Sequence, residues 1–562
     1  MRKIITNYSG AAFSAIMLFI AAGCAKFSDR EFAVDKPESI LNQEAINSLP
    51  SLKSLINKTA SPNFRLGTVV PANTYQTGGS AIFKIADRNF DEVVLETEMK
   101  HGSIVQANGS LNISGVKQFV DFAAKNNVNV YGQALTHHLN QNATYLNEKL
   151  KGVSGTTKIN FDNDATGQVY GMTGNSSAEV TADPDGVTPG KVLRVGTTAL
   201  NTNQSFVKIP VTLPAGIKLR HCASVTLDIY IINGIFGQGM RLGLVNNTDL
   251  SRNATYNSPA GFGASANSWL RGKVIMPIAN LNLTEAEKEL STFTIYTGSA
   301  TGAGLYYIDN VIFSWNAEKT AEEKNTIVSG ELNRFISGIV DSTKSVVKAW
   351  DVVKDPIDDN NPTQLKTGIG KSQGANEFYW QDYMGTNYAV KAFQYARQHI
   401  NSGDKLFISD NGLESNLAKC SGLINYVQNI ESQGAVVDGI STQMHISITT
   451  DKSNIAQHFS LLAATQKLIR ISELYVSLNG TTTSSATAAQ LQAQAEMYKY
   501  VIEKYFELVP AAQRYGITFW SPQDRPSGAA WLANQPLGIW NGQWVRKIAY
   551  KAVVEALQAK AK

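Results

Sequence analysis

Trp350-Asp-Val-Val-Lys-Asp355 is a run of apolar residues that stops abruptly in charge. With Val346, Val347 and Ala349 before it, the stretch reads as a short buried strand. Pro356 follows and cannot continue a strand ladder, and Asp358 and Asp359 lie just beyond. A buried parallel strand that delivers charged side chains at its C-terminal end is the way a (β/α)8 barrel builds a site. The fold therefore turns on whether strands of this kind recur at βαβ spacing.

They do. Phe64–Val70 and Glu92–Lys100 read as the first two strands, and Asn127–Leu135 as the third, ending in Thr136-His137-His138. Val116 to Lys125 between them has helical spacing. After a long interruption the rhythm resumes. Thr320 to Val340 is an amphipathic helix, and Trp350–Asp355 ends the fourth strand. Lys405–Asp410, Val436–His445, Leu468–Val476 and Gly516–Trp520 follow, separated by helical stretches at Tyr388–His399 and Ala488–Phe506 and closed by one at Lys547–Ala559. Eight strands make a (β/α)8 TIM barrel interrupted after its third strand.

The interruption, 153–316, is rich in Gly, Thr, Asn and Ser and carries short alternating runs such as Ser224-Val-Thr-Leu-Asp-Ile-Tyr-Ile-Ile. This pattern predicts an all-β sandwich. The barrel then comprises 51–152 and 317–562. Among the aromatics of the insert (Tyr230, Phe236, Tyr256, Phe262, Trp269), Trp269 stands in a polar run and is the first candidate for an exposed sugar platform.

Lys+Arg 50 against Asp+Glu 46 gives a formal charge of +4, which does not argue for nucleic acid. Cys24, Cys222 and Cys420 have no metal-type spacing and form no disulfide framework. Cys24 has its own context. Arg2 and Lys3 precede an apolar run, Ala11 to Ala22, then Gly23-Cys24. That is a secretory signal of h-region length, 1–24, too short to span a bilayer. Small residues before Cys resemble a bacterial lipobox, which implies lipid on the Cys24 thiol. Residues 25–50 read as a polar tether.

Strand ends carry Glu96, Lys100, Gln133, His137, His138, Lys354, Asp355, Gln443, His445, Glu473 and Trp520, and a barrel aims these at one mouth. No Gly-rich phosphate loop, no Gly-x-Ser-x-Gly and no metal-type pairing of His with carboxylate is present, so no cofactor or metal is expected. Asp355 and Glu473 remain, two carboxyls with Trp520 beside them. Two carboxyls flanking a bond, with aromatic faces for sugar rings, is the layout for glycoside hydrolysis. Other readings stay open: Glu473 as a buried ion pair with Arg470 or Lys100, Asp355 as a salt bridge to Lys354, Trp520 as core. Trp531, in the loop after the eighth strand, is a further candidate for the cleft.

The order of motifs resembles glycoside hydrolase family 10, the endo-β-1,4-xylanases. Glu96-Thr-Glu-Met-Lys100 is similar to E-N-x-M-K, Gly132-Gln-Ala-Leu-Thr-His-His138 to G-H-T-L-x-W-H, and Trp350-Asp-Val-Val-Lys-Asp355 to W-D-V-V-N-E. Asp438-Gly-Ile-Ser-Thr-Gln-Met-His445, Ile471-Ser-Glu-Leu and Ile517-Thr-Phe-Trp520 resemble D-G-I-G-x-Q-x-H, I-T-E-L and I-T-x-W. The resemblance implies Glu473 as nucleophile and Asp355 at the acid/base position, with the other strand-end residues and Trp531 binding sugar. The insert resembles carbohydrate-binding modules. The insertion point is similar to that of xylanases of gut Bacteroidetes, and Asp29, Arg30 and Glu31 resemble the export tag of their surface lipoproteins. Together these imply a protein lipid-anchored in the outer membrane and exposed on the cell surface, with xylan or a related β-glycan as substrate and other glycan-uptake proteins as partners.

The departures from the family pattern fall around the cleft: Asp355 for Glu, Lys354 for Asn, Gln133 for His, His137 for Trp and Thr97 for Asn. Asp is one methylene shorter than Glu, and misplacing a catalytic group by about 1 Å costs roughly a hundredfold. It would also widen the gap of about 5–5.5 Å that retaining enzymes keep between their carboxyls, towards the roughly 6.5–9.5 Å of inverting ones. Lys354 lowers the pKa of Asp355 and makes it a poorer acid. Three readings follow: a xylanase with a retuned site, a catalytically silent xylan-binding barrel, or a hydrolase of another β-linked glycan.

Overall fold

The computed structural model describes residues 36–560 apart from 173–176, 188, 197–205, 235–238, 245–251 and 300–303. Cys24, its leader and Phe236 lie outside the described residues. Eight parallel strands run as β1 (Arg65–Val70), β2 (Glu92–Leu95), β3 (Asn129–Thr136), β4 (Val347–Lys354), β5 (Lys405–Asp410), β6 (Gly439–Thr442), β7 (Leu468–Ser477) and β8 (Arg514–Phe519). Each pairs with its neighbour in sequence, and β8 pairs with β1, so the barrel closes. Closure leaves no edge strand and turns all eight C-terminal ends to one face.

Local sequence explains the elements. Helix Ala321–Thr343 starts where the Thr320 hydroxyl accepts from the Glu323 amide and the Glu323 carboxylate accepts from the Thr320 amide, a capping box. Thr487 and Gln490 do the same for helix Ala488–Leu508. These helices bury Val328, Leu332, Phe335, Ile336 and Tyr498, Val501, Ile502, Tyr505 against the outer face of the barrel. Where β3 meets β4, a Cβ on Gly132 would overlap the Trp350 indole, so glycine is required there.

Three expected boundaries differ. The second strand stops at Leu95, because Glu98 accepts from the amides of Thr97 and Ala72 and Lys100 N donates to Thr97 O, which rolls the polar stretch into a turn. The sixth is split: Met444, at φ +62°, bends the chain between β6 and a short strand His445–Ser447. The segment expected as a tether contains a helix, Glu38–Asn47, docked on the barrel. Gln43 donates to Arg546 O, and Arg546 donates to Asn47 O and Leu49 O.

Among the described residues between Val153 and Ala317, ten strands form two antiparallel sheets, one of six strands and one of four. Val180, Leu193, Val225, Leu227, Ile229, Ile295 and Phe313 belong to one apolar core between them. Val153 pairs with Ala317, so the chain leaves the barrel after helix Ala143–Leu150 and returns at the same point.

The barrel interior is polar at its base. Arg470 of β7 is ion-paired with Glu92 of β2, donates to Thr518 and stacks 3.8 Å from the Tyr131 ring centroid. Tyr131 donates to Asp351 at 2.7 Å, and Ser441 donates to the same oxygen at 2.9 Å. Beside these groups Val69, Val94, Tyr131, Ala349, Phe407 and Trp520 form an apolar cluster inside the barrel. Removing one partner of a fully buried ion pair strands the other. Arg470→Met is therefore expected to lower stability by about 3–5 kcal/mol in urea denaturation, and Arg470→Met with Glu92→Leu to recover much of that loss.

Candidate active site

The mouth of the barrel is built from strand ends. β4 ends at Lys354, and Asp355 follows in the left-handed region at φ +54°, its amide donating to Ser409 O at 2.8 Å. This turn places Lys354 and Asp355 on divergent paths. The Lys354 ammonium is ion-paired with Glu473 Oε1. Asp355 instead accepts from His137 Nε2 at 3.0 Å and from Gln443 Nε2 at 2.7 Å, one bond on each oxygen.

Glu473 lies within β7, 2 % exposed. Gln133 Nε2 donates to its Oε1, and His445 Nε2 lies 3.0 Å from its Oε2. The bend at Met444 lets Gln443 and His445 serve different carboxylates. Arg470 does not reach Glu473; it is paired with Glu92. Of the open readings, the ion pair on Glu473 is real but its partner is Lys354.

Electrostatics keep both carboxyls ionised. Burial pushes Glu473 up, but Lys354 and His445 outweigh it and hold the carboxyl down at about 2. Burial also pushes Asp355 up, and the hydrogen bond from His137 together with the charges of Lys354 and Lys366 outweighs it, holding the carboxyl well below the usual range. Burial lowers His137 to about 3, so the pair is a neutral imidazole donating from Nε2 to an ionised carboxylate. Burial pulls Lys354 down, yet Glu473 and Asp355 keep it above the ordinary lysine value. Lys100, also buried, is lowered to about 8 by burial and by Lys354. Burial and the Asp355 charge push Asp410, at the end of β5, up to about 7 against the pull of Lys419.

Aromatic residues form one side. Trp520, 6 % exposed, packs on the barrel interior and has the Lys354 ammonium 5.8 Å from its ring centroid, so it is both core and cleft wall. His445 stacks on Tyr475 at 4.7 Å, Tyr475 meets Trp531 at 5.6 Å, and Arg525 covers Trp531 at 4.0 Å. Trp531 Nε1 donates to Glu96 Oε1 at 2.7 Å. His138 stacks on Tyr379 at 5.3 Å, beside His137. A cavity of about 380 Å³ beside Trp520 is lined by Glu96, Ser521, Asp524 and Arg525. Asp355, 7 % exposed, borders a void of about 10 Å³ lined by His137, His138, Lys354, Trp380 and Tyr388.

All the strand-end residues singled out from the sequence are thus brought to one face, with Trp531 joining from its loop. Tyr475 and Arg525 were not foreseen. Tyr475 stands two residues after Glu473, the spacing that shares a strand face, and that period was the available signal. Arg525 carries no such signal. Trp269, half-buried, is held much as Trp531 is: its Nε1 donates to Asp183 at 2.9 Å, Arg271 covers the ring at 4.5 Å, and Tyr230 packs against it. Among the described residues no group of three or more His, Cys, Asp or Glu is arranged to hold a metal ion.

Comparison with known proteins bears on this site. A model of glycosyl hydrolase family 10 matches residues 54–166 and 309–556. Endo-1,4-beta-xylanase A of Thermoanaerobacterium saccharolyticum is 31% identical over 221 residues, 39% of this chain and 17% of that protein. Endo-1,4-beta-xylanase A of Cellvibrio japonicus is 31% identical over 270 residues, 44% of this chain and 43% of that protein. The chain spans less than half the length of either. The solved structure of a GH10 protein from Paenibacillus barcinonensis covers 90% of this chain and 97% of its own, with a TM-score of 0.52 at 17% identity, a likeness of fold.

The ionised state of Glu473 has a stability consequence. Its folded pKa, about 2, lies below the unfolded carboxylate value, so its contribution is present above about pH 4.3 and is lost as pH falls towards 2. Glu473→Gln leaves Lys354 buried without that carboxylate. Denaturation at pH 6 is expected to show the variant about 3 kcal/mol less stable than wild type, with the gap closing towards pH 2.

Proposed function

The chain belongs to glycosyl hydrolase family 10, and from that premise we propose that it is a xylan-directed glycoside hydrolase of the double-displacement type that turns over slowly. Glu473 takes the nucleophile's role and Asp355 the acid/base position. The observation that carries this reading is the pair of buried strand-end carboxylates, one oriented by His445 and the other by Gln443. In such a mechanism a Glu473 oxygen bonds the anomeric carbon as the glycosidic C–O bond breaks, and the proton of the acid goes to the leaving oxygen. Water then attacks the anomeric carbon, gives its proton to the Asp355 carboxylate, and the bond to Glu473 breaks.

Two features slow the first half. Lys354 neutralises the nucleophile and competes with the sugar for the oxygen that must attack. Asp355, held ionised, has almost no proton to give at neutral pH. The polysaccharide class rests on the relatives' names and on the aromatic wall of Trp520, Tyr475 and Trp531. The leader of basic start, apolar run and Cys24 supports a lipid anchor in the outer membrane at the cell surface, where other glycan-uptake proteins would be its partners.

A second reading, a barrel that binds xylan without cutting it, is favoured by one observation. Both Asp355 oxygens are already hydrogen-bonded, and the carboxylate borders a void of about 10 Å³, room for about one water and not for a leaving oxygen.

Reducing-sugar release from xylan separates the two. Wild type is expected to release sugar slowly, Glu473→Ala none, and the pair Lys354→Asn with Asp355→Glu to gain about a hundredfold, the scale of a misplaced catalytic group. Xylan binding with no release by any of the three proteins would favour the binding reading. No binding by the wild type would sink both.

A further inference from the structure

An open space apart from the cleft lies beyond Asp355. A groove of about 1030 Å³ runs along helix Leu417–Ser432, between that helix and the segment that follows Asp355. None of the strand-end side chains lines it. Its walls are chemically uniform. Ile357, Leu365 and Tyr426 give an apolar floor, while Thr363, Gln364, Ser421, Asn425 and Asn429 place hydroxyls and amides along an exposed rim.

The cation in the groove is already paired: Lys366 meets Asp359 at 3.1 Å. Asp382 keeps its charge but accepts from Thr367 Oγ1 at 2.7 Å and from the Gly368 amide at 2.9 Å, one donor on each oxygen. An anionic ligand would find no free cation among these groups. A ligand that suits an apolar floor and a rim of neutral donors and acceptors has apolar faces and many hydroxyls, which describes a saccharide ring.

The groove is also continuous with the mouth. The hairpin that pairs Ile357 with Leu365 begins two residues after Asp355, and Gln381 lines both the groove and the void beside Asp355. We propose that this groove is a second binding site for a neutral β-linked oligosaccharide, outside the catalytic cleft, which would hold a long glycan beside a slow site. The identity of the sugar rests on the functional reading above; the site itself rests on the groove.

Calorimetric titration of the whole protein with xylohexaose tests it. Wild type is expected to bind at a second site that Ser421→Trp, which fills the groove from the helix, weakens by about tenfold or more. Thr363→Trp, which fills it from the opposite wall, should do the same, so a folding defect in one variant does not decide the matter. Trp531→Ala, in the cleft, should weaken the other site and leave the groove site intact. Wild-type stoichiometry and affinity in both Trp-substituted variants would overturn the groove and leave the cleft reading standing. Complete loss in Trp531→Ala would also overturn it, by reducing the protein to one site. No binding by the wild type would overturn both.

Discussion

A lysine ammonium against a buried glutamate, Lys354 on Glu473, sets the character of the barrel mouth. Taking both charges out of water costs several kcal/mol for each ion, and their attraction offsets this only when further hydrogen bonds complete the arrangement. Gln133 and His445 supply those bonds to Glu473, and Asp355 adds a second negative charge near Lys354. The array is therefore mutually dependent. The same ion pair leaves Glu473 with a cation on one oxygen and the His445 imidazole on the other.

The second carboxylate shows the same logic by another route. Asp355 lies one residue past the end of β4, and its positive φ turns the side chain away from Lys354 towards His137 and Gln443. Two donors, one per oxygen, favour the ionised form. Both buried carboxylates are thus held ionised by partners already in place.

The insert leaves this arrangement undisturbed for a topological reason. Its entering and leaving ends pair with each other at Val153 and Ala317, so ten strands hang from one antiparallel junction after helix Ala143–Leu150. β3 and β4 still pair across it, and the closed barrel that positions Gln133, His137, Lys354 and Asp355 is the same as if the insert were absent.

The architecture was legible in the chain alone. Eight buried runs at βαβ spacing, most of them ending in polar or aromatic groups, admit one closed parallel sheet, because local propensity and burial period agree along most of the chain. It also determined which side chains meet, since strand polarity alone sends every C-terminal end to one face. Where local rules gave out, so did the reading. The polar stretch after Leu95 turned instead of pairing, and Met444 split a strand. What only the tertiary structure decided is who pairs with whom at the mouth. Lys354 could have held its neighbour Asp355 and Arg470 could have held Glu473. Instead a left-handed turn at Asp355 and the reach of Arg470 to Glu92 crossed those pairings. Residues adjacent in sequence need not be adjacent in field, because the backbone dihedral between them sets the direction of each side chain, and that angle was fixed by the closed barrel around it.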